Sequence, residues 1–321
     1  MLPVILQGLE CLISLYLIGF IGFMLDRRGW CAPETKVFLP RLVTLVALPP
    51  YLFVNVLNTF TREEFTRLIS GVLAPLISIL LNFALGLLLV RLFKVDRARR
   101  GLVTTGCASA NTIFMGLPVN VALFGEAALP YVLIYFFANS FFFWTLGQHA
   151  LSRDGDRPFT EAGWAGSLRQ IFSPPLLGFG LGILVLMTGL NPPGIILDTA
   201  ALLGSLTTPL ALLFIGLSLG SVAGAALKPD RDLALVLVGR FVLSPLTIIL
   251  LTRFFEMAPL MVKVFLIQSS LPPPTSLALL AGYYRTDLAF GSRVVFVGTV
   301  LSMLTVPLFL VIISLIYSSG G

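Results

Sequence analysis

Two short stretches hold the residues whose types and spacing could do chemistry. "ANTIFMGLPVNVALFG", residues 110–125, carries Asn111, Thr112, Gly116 and Pro118. "SSLPPPTS", residues 269–276, carries Ser269, Ser270, Pro272, Pro273, Pro274 and Thr275. Neither contains Asp, Glu, Lys, Arg, His or Cys, and the sole histidine, His149, sits elsewhere. That composition leaves no nucleophile–base–acid arrangement for hydrolysis. It suits binding instead. Three consecutive prolines cannot occupy a continuous helix, because each lacks an amide hydrogen and its ring clashes one turn back. Pro118 with Gly116 interrupts a helix more gently. Each break starts a half-helix, at about Pro118 and about Thr275. Helix N-termini present unpaired N–H groups and partial positive charge. Two of them aimed at one cavity favour an anion.

The elements that position these stretches are membrane helices. The chain is 57% hydrophobic and 11% charged, with a mean hydropathy of +0.98, where soluble proteins carry roughly 25% charged residues. Apolar runs near the ~20 residues needed to span a bilayer recur from end to end. They predict ten helices, over 3–24, 37–58, 66–92, 98–125, 127–150, 172–190, 194–219, 232–254, 259–284 and 288–317. The longest polar interruption is "LSRDGDRPFTEAGWAGSLRQ", 151–170. The N-terminal run has no basic n-region or small-residue cleavage site, so it reads as a retained first helix. Non-helical backbone at membrane depth is tolerated only inside protein or along a watery cavity. Both breaks therefore belong in the interior.

Basic residues set the orientation. Of 21 Lys and Arg, 16 fall in or beside the loops after helices 1, 3, 5, 7 and 9. Positive loops stay cytoplasmic, so both termini are expected outside and "VRLFKVDRARRG" inside. The net charge of +6 reports this topology and not nucleic-acid binding. Weak internal symmetry is also visible. "APLISIL" at 74–80 resembles "SPLTIIL" at 244–250, Pro49 corresponds to Pro209, and Pro118 to Pro274. Each pair lies five helices apart. An odd number inverts the second half relative to the first, the mark of an inverted-repeat transporter. The expected organisation is a first five-helix repeat over 1–150, a cytoplasmic connector over 151–171 and a second repeat over 172–321.

Other polar residues have plainer readings. Glu10 lies within helix 1, where an acid is a candidate proton carrier or a protonated partner at a helix contact. Arg240 in helix 8 could bind a substrate carboxylate or pair with an acid; snorkelling to the cytoplasmic surface is the preferred expectation. Asn55, Asn82 and Asn139 suit interhelical hydrogen bonds. Cys11 and Cys107 suit packing as small hydrophobes, and the three cysteines form no disulfide or metal spacing. His149 reads as an interfacial polar residue. Gly178, Gly180 and Gly182 predict close helix packing.

"NTIFMGLPVNVALFG", then "LPPPTSLALLAGYYRTDLAFGSRVVFVGTVLSMLTVP", with "GFIGFMLDRRGW" and "FLPRLVTLVALPPYLF" near the start, resemble the auxin efflux carrier family. That family includes the plant PIN auxin exporters and bacterial carriers of small organic acids. The resemblance spans nearly the whole chain and is most specific at Asn-Thr…Gly-x-Pro. It implies an all-α polytopic protein of ten transmembrane helices in two inverted five-helix repeats, with broken helices 4 and 9 crossing at the site. It also implies a scaffold from helices 1, 2, 6 and 7, a mobile transport domain from helices 3, 4, 5, 8, 9 and 10, and a homodimer. Asn111 and Pro118 match the first crossing, and Pro272 to Pro274 the second. The chain lacks the long cytoplasmic loop that many plant members carry after helix 5. Its triple proline at Pro272, Pro273 and Pro274 also departs from the usual pattern.

Together these features predict a secondary transporter of small organic anions in a bacterial inner membrane, with no cofactor. Coupling to H+ or Na+ is compatible with it, although no ion site is evident beyond Glu10. The alternatives are a cation/proton antiporter or sodium-coupled symporter of the same architecture, a membrane enzyme, or a receptor descended from a carrier. An antiporter needs carboxylates at the crossing, and Glu126 and Asp287 fall beyond the half-helices. An enzyme needs ionisable residues clustered at one membrane face, and none is seen outside the basic loops.

Overall fold

The structure, a computed structural model, describes residues 2–32, 34–59, 61, 71, 73–155, 174–220 and 230–317. Every regular element among them is helical. In chain order these are α1 (Leu2–Arg27), α2 (Thr35–Leu42 and Leu48–Thr59 about a π turn at Val43–Ala47) and α3 (Leu73–Leu92). Next come α4a (Arg97–Ala108), α4b (Gly116–Phe124), and α5 (Leu129–Phe142 and Gln148–Asp154 about a π turn at Phe143–Gly147). Then follow α6 (Pro174–Thr188), α7 (Gly194–Ser205 and Thr207–Gly220), and α8 (Arg231–Val238 and Ser244–Leu251 about a π turn at Gly239–Leu243). The last are α9a (Pro259–Ser269), α9b (Ser276–Tyr284) and α10 (Leu288–Tyr317). Seven stretches are long and apolar enough to cross a bilayer, in α1, α2, α3, α5, α7, α8 and α10. α6 and α9a are apolar but shorter. Of the connector expected at 151–171, only 151–155 is described, and most of it closes α5. Arg62, Arg67, Arg157, Arg169 and Lys228 lie outside the described residues.

Hydrocarbon-facing surfaces are easy to recognise. Ile13, Leu17 and Phe20 on α1, and Leu177, Leu181 and Leu184 on α6, are each more than half exposed. In water such stripes would be costly, while in lipid they are matched to their solvent. The interior is the reverse and gathers polar side chains: Asn82, Asn111, Thr112, Asn120, Arg240, Gln268, Ser269 and Ser270 are all buried.

α1 lies along α7, α2 packs against α6 and α7, and α3, α4, α5, α8, α9 and α10 pack among themselves. α1 meets the second group through α4b and α10. Gly178 and Gly182 lie against Pro49 and Val56 of α2, as their spacing predicts, whereas Gly180 faces open space. The two sequence-related segments in α3 and α8 touch. Ser78 Oγ and Thr247 Oγ1 are 2.7 Å apart, and Asn82 Nδ2 donates to the Ser78 carbonyl (2.8 Å) and to Thr247 Oγ1 (2.9 Å). Asn139 also bonds between elements, but Asn55 donates to Tyr51 O of its own helix at 2.8 Å. The interhelical role expected of Asn55 is therefore replaced by a local bond. Cys107 is buried as expected, and Cys11 only half so.

Candidate functional site

The two interrupted stretches meet. α4a ends at Ala108, and Ser109–Met115 is not helical. α9a ends at Ser269, and the triple proline separates it from α9b. The Asn111 N–H donates to the Pro272 carbonyl across the two breaks at 2.8 Å. The Asn111 carbonyl accepts from Gly116 N at 3.0 Å, which sets the start of α4b. Gln268 Nε2 donates to Thr112 O at 3.4 Å. Asn139, from α5, pairs with both backbone groups of Ala110: its Oδ1 accepts from the N–H at 2.9 Å and its Nδ2 donates to the carbonyl at 3.1 Å. Backbone groups freed by the first break are thus largely satisfied inside protein, as low-dielectric surroundings require.

The central feature is Arg240. Snorkelling to the cytoplasmic surface was the preferred expectation; the structure overturns it, because Arg240 is completely buried. Among the described residues it pairs with no acid. Its Nε donates to Leu271 O (2.8 Å), Nη1 to Ala108 O (2.9 Å) and Cys107 O (3.5 Å), and Nη2 to Ser269 O (2.6 Å) and Gln268 O (3.3 Å). A guanidinium has five N–H donors, and these five carbonyls occupy them. The acceptors come from the C-terminal ends of α4a and α9a and from Leu271, two residues beyond α9a. Helix C-termini carry partial negative charge and unpaired carbonyls. One buried cation therefore satisfies both ends at once. Two local features place it there. The π turn Gly239–Leu243 re-aims the side chain within α8. Gly239 lets α8 close onto α4a, since a Cβ there would sit 2.8 Å from Cys107 Cβ.

The second half-helices, α4b and α9b, begin on the far side of the two breaks. Gly116 begins α4b, and Pro118 lies in its first turn, where a missing N–H costs nothing. The sequence placed this start two residues later; Pro118 supports the helix start and does not cause the break. A Cβ at Gly116 would collide with Gln268 Oε1 and approach Leu271 Cδ1 to 2.7 Å. Thr275 precedes α9b and makes no side-chain cap bond. Asn111 and Thr112 are 4% and 3% exposed, so a ligand reaching them leaves water. Ser269 and Ser270 are buried with their hydroxyls turned onto Leu266 O and Ile267 O, each at 2.8 Å. They are structural in this conformation. Pro272 and Pro273 are buried, and Pro274 is half-buried.

Glu10 is exposed on α1 and is not among the residues that meet here. Gln268 and Asn139 were missed as site residues. Gln268 directly precedes the Ser-Ser-Leu-Pro-Pro-Pro run, which was the available signal. Its Oε1, beside Gly116, is buried without a hydrogen-bond partner among the described residues.

A family model described as "Membrane transport protein" matches residues 8–161 and 165–310. An uncharacterized transporter of Methanothermobacter thermautotrophicus is 26% identical over 316 residues, covering 95% of this chain and 98% of that one. An uncharacterized transporter of Methanocaldococcus jannaschii is 24% identical over 309 residues, covering 94% and 97%.

Proposed function

The chain belongs to the membrane transport protein family, of the auxin efflux carrier type, and on that premise we propose that this integral membrane protein is a secondary active transporter of small organic anions. The observation that carries the proposal is the charge arrangement at the crossing. Arg240 neutralises the two helix ends that would attract a cation, while α4b and α9b begin directly after the two breaks that meet there. No carboxylate lies in either break. A carboxylate substrate would take N–H groups of the half-helices and the Asn111 amide, with Thr112 and Thr275 beside it.

The magnitudes suit a carrier. Each helix terminus is worth about 1–2 kcal/mol for an anion in a partly buried site, and a charged hydrogen bond to Asn111 about 1–3. The total corresponds to dissociation constants between about 10 mM and 10 µM, weak enough for release. Gln268 Oε1 adds an acceptor that a substrate hydroxyl or N–H would satisfy.

In this reading the chain crosses the membrane ten times as two inverted repeats, with α4a/α4b and α9a/α9b as the broken fourth and ninth helices. Alternating access comes from α3, α4, α5, α8, α9 and α10 moving against α1, α2, α6 and α7. The preference of each group for its own members in packing supports that division. The cation-coupled alternatives are disfavoured on one ground. Coupling ions in such carriers bind carbonyls at unwound helices and half-helix C-termini, and here Arg240 takes them. The test is current on a solid-supported membrane from purified protein in liposomes, challenged with malate, malonate, auxin and related carboxylates. A carboxylate current that persists without sodium, and whose affinity falls by about ten-fold or more in Asn111→Ala, is expected. A folded Asn111→Ala variant with unchanged affinity would remove Asn111 from the site.

A further inference from the structure

Away from the crossing, a cavity of about 750 Å³ opens between α3, α4a and α5. One end is cationic: Arg91, Lys94, Arg97, Arg100 and Arg153 line it. A single carboxylate, Asp154, lies among them, and it accepts from the Gly101 backbone N–H. None of the five cations forms an ion pair with a carboxylate among the described residues. Two of the guanidiniums are held by backbone carbonyls, Arg100 by Val95 O at 3.0 Å and Arg97 by Arg153 O at 3.4 Å. That orients them without neutralising them. The other end is apolar and lined by Phe83, Leu87, Val90 and Leu146. Leu87 and Leu146 are 41% and 43% exposed, so this wall opens sideways onto the surface that faces hydrocarbon.

Arg91 lies in the last turn of α3, a span of bilayer length, and Phe83 and Leu87 lie two turns and one turn deeper. The cationic end therefore sits at headgroup depth and the apolar wall at acyl-chain depth. A solvated basic surface would need no such wall, and a soluble anion would make no use of it. We propose that this cavity is a binding site for an anionic phospholipid. Its phosphate is held by the arginines and Lys94, and an acyl chain lies along Phe83, Leu87 and Leu146. Basic recesses between membrane helices on the cytoplasmic side suit this chemistry. The site is independent of the transport proposal, since it shares no residue with the crossing.

The test uses full-length protein in phosphatidylcholine nanodiscs and spin-labelled lipids as probes. Phosphatidylglycerol is expected to associate in preference to phosphatidylcholine, with each arginine contributing about five-fold. Arg97→Gln with Arg100→Gln should lower that preference by about 25-fold. Arg27→Gln with Arg28→Gln, which removes equal charge elsewhere on the predicted cytoplasmic side, should leave it intact. A further pair, Arg91→Gln with Lys94→Gln, keeps the result readable if the first variant folds poorly. Equal loss in the Arg27/Arg28 control would reduce the effect to diffuse surface charge and overturn the proposal. So would the absence of any preference. Displacement by inorganic phosphate as readily as by glycerophosphate-headed lipid would reassign the site to a soluble phosphate.

Discussion

At the residue scale the protein turns on Arg240. A lone arginine in an apolar helix reads equally as an anchor at the surface or as a buried ligand, because hydropathy does not record where its acceptors lie. Those acceptors are main-chain carbonyls 28 to 133 residues away in sequence, and only the tertiary fold assembles them. Asn111 and the triple proline were legible for the opposite reason: helix-breaking and amide chemistry are local. The bonds that join the two breaks are the Asn111 backbone N–H to Pro272 O and Gln268 Nε2 to Thr112 O, and neither uses the Asn111 side chain. Arg240→Ala should leave several buried carbonyls unpaired, at about 1–3 kcal/mol each. The expected outcome is a large fall in melting temperature and loss of transport. Arg240→Lys keeps the charge but offers three donors instead of five, so it should fold with intermediate stability and reduced transport. Thermal unfolding in detergent and uptake into proteoliposomes check both; an unaltered Arg240→Ala would deny the side chain this role.

At the element scale the helices need fixed ends as well as a fixed crossing. Asp230 caps α8, accepting from Asp232 N at 2.9 Å and Leu233 N at 3.3 Å. It also meets Arg99 and Arg293, each at 3.1 Å, and Arg99 reaches Asp287 at 2.7 Å. This cluster ties α4a, α8 and α10 together at one end. Burial pushes the Asp230 carboxyl upward, but the two backbone N–H groups and the two arginines outweigh it and hold it below the usual range. A depressed carboxylate contributes its stability in full above the ordinary pKa of about 3.9 and loses it as pH falls through the folded value. The melting temperature should therefore be level above about pH 5 and fall below about pH 4. Asp230→Asn keeps a capping oxygen but loses the charge that meets Arg99 and Arg293, so it should lower the plateau and make the acid-side fall shallower. The start expected for the third helix, at 66, lies outside the described residues. The other described helix ends were legible in the sequence to within a few residues, because hydrophobic length and proline set them. The π turns in α2, α5 and α8 were not, since no local residue pattern marks them. One of the three aims Arg240.

At the scale of the whole molecule, the apolar surface, the basic asymmetry and the family agree on an integral membrane transporter. The sequence carried that much because lipid exposure and loop charge are written in composition. It did not carry which faces pack together, a matter of side-chain fit among helices with similar apolar surfaces. The orientation is testable directly. In a background lacking Cys11, Cys31 and Cys107, Lys94→Cys should be labelled only from the cytoplasmic side; labelling from outside would invert the topology. The central claim is that the crossing held by Arg240 carries an organic anion without a coupling cation bound there. Counterflow of radiolabelled carboxylates in proteoliposomes, with and without sodium, tests it most directly because it reads exchange whether or not charge moves. Accumulation of at least one labelled carboxylate at equal rate in both media is the predicted result. Sodium–proton exchange in the same vesicles, with no carboxylate counterflow, would contradict it.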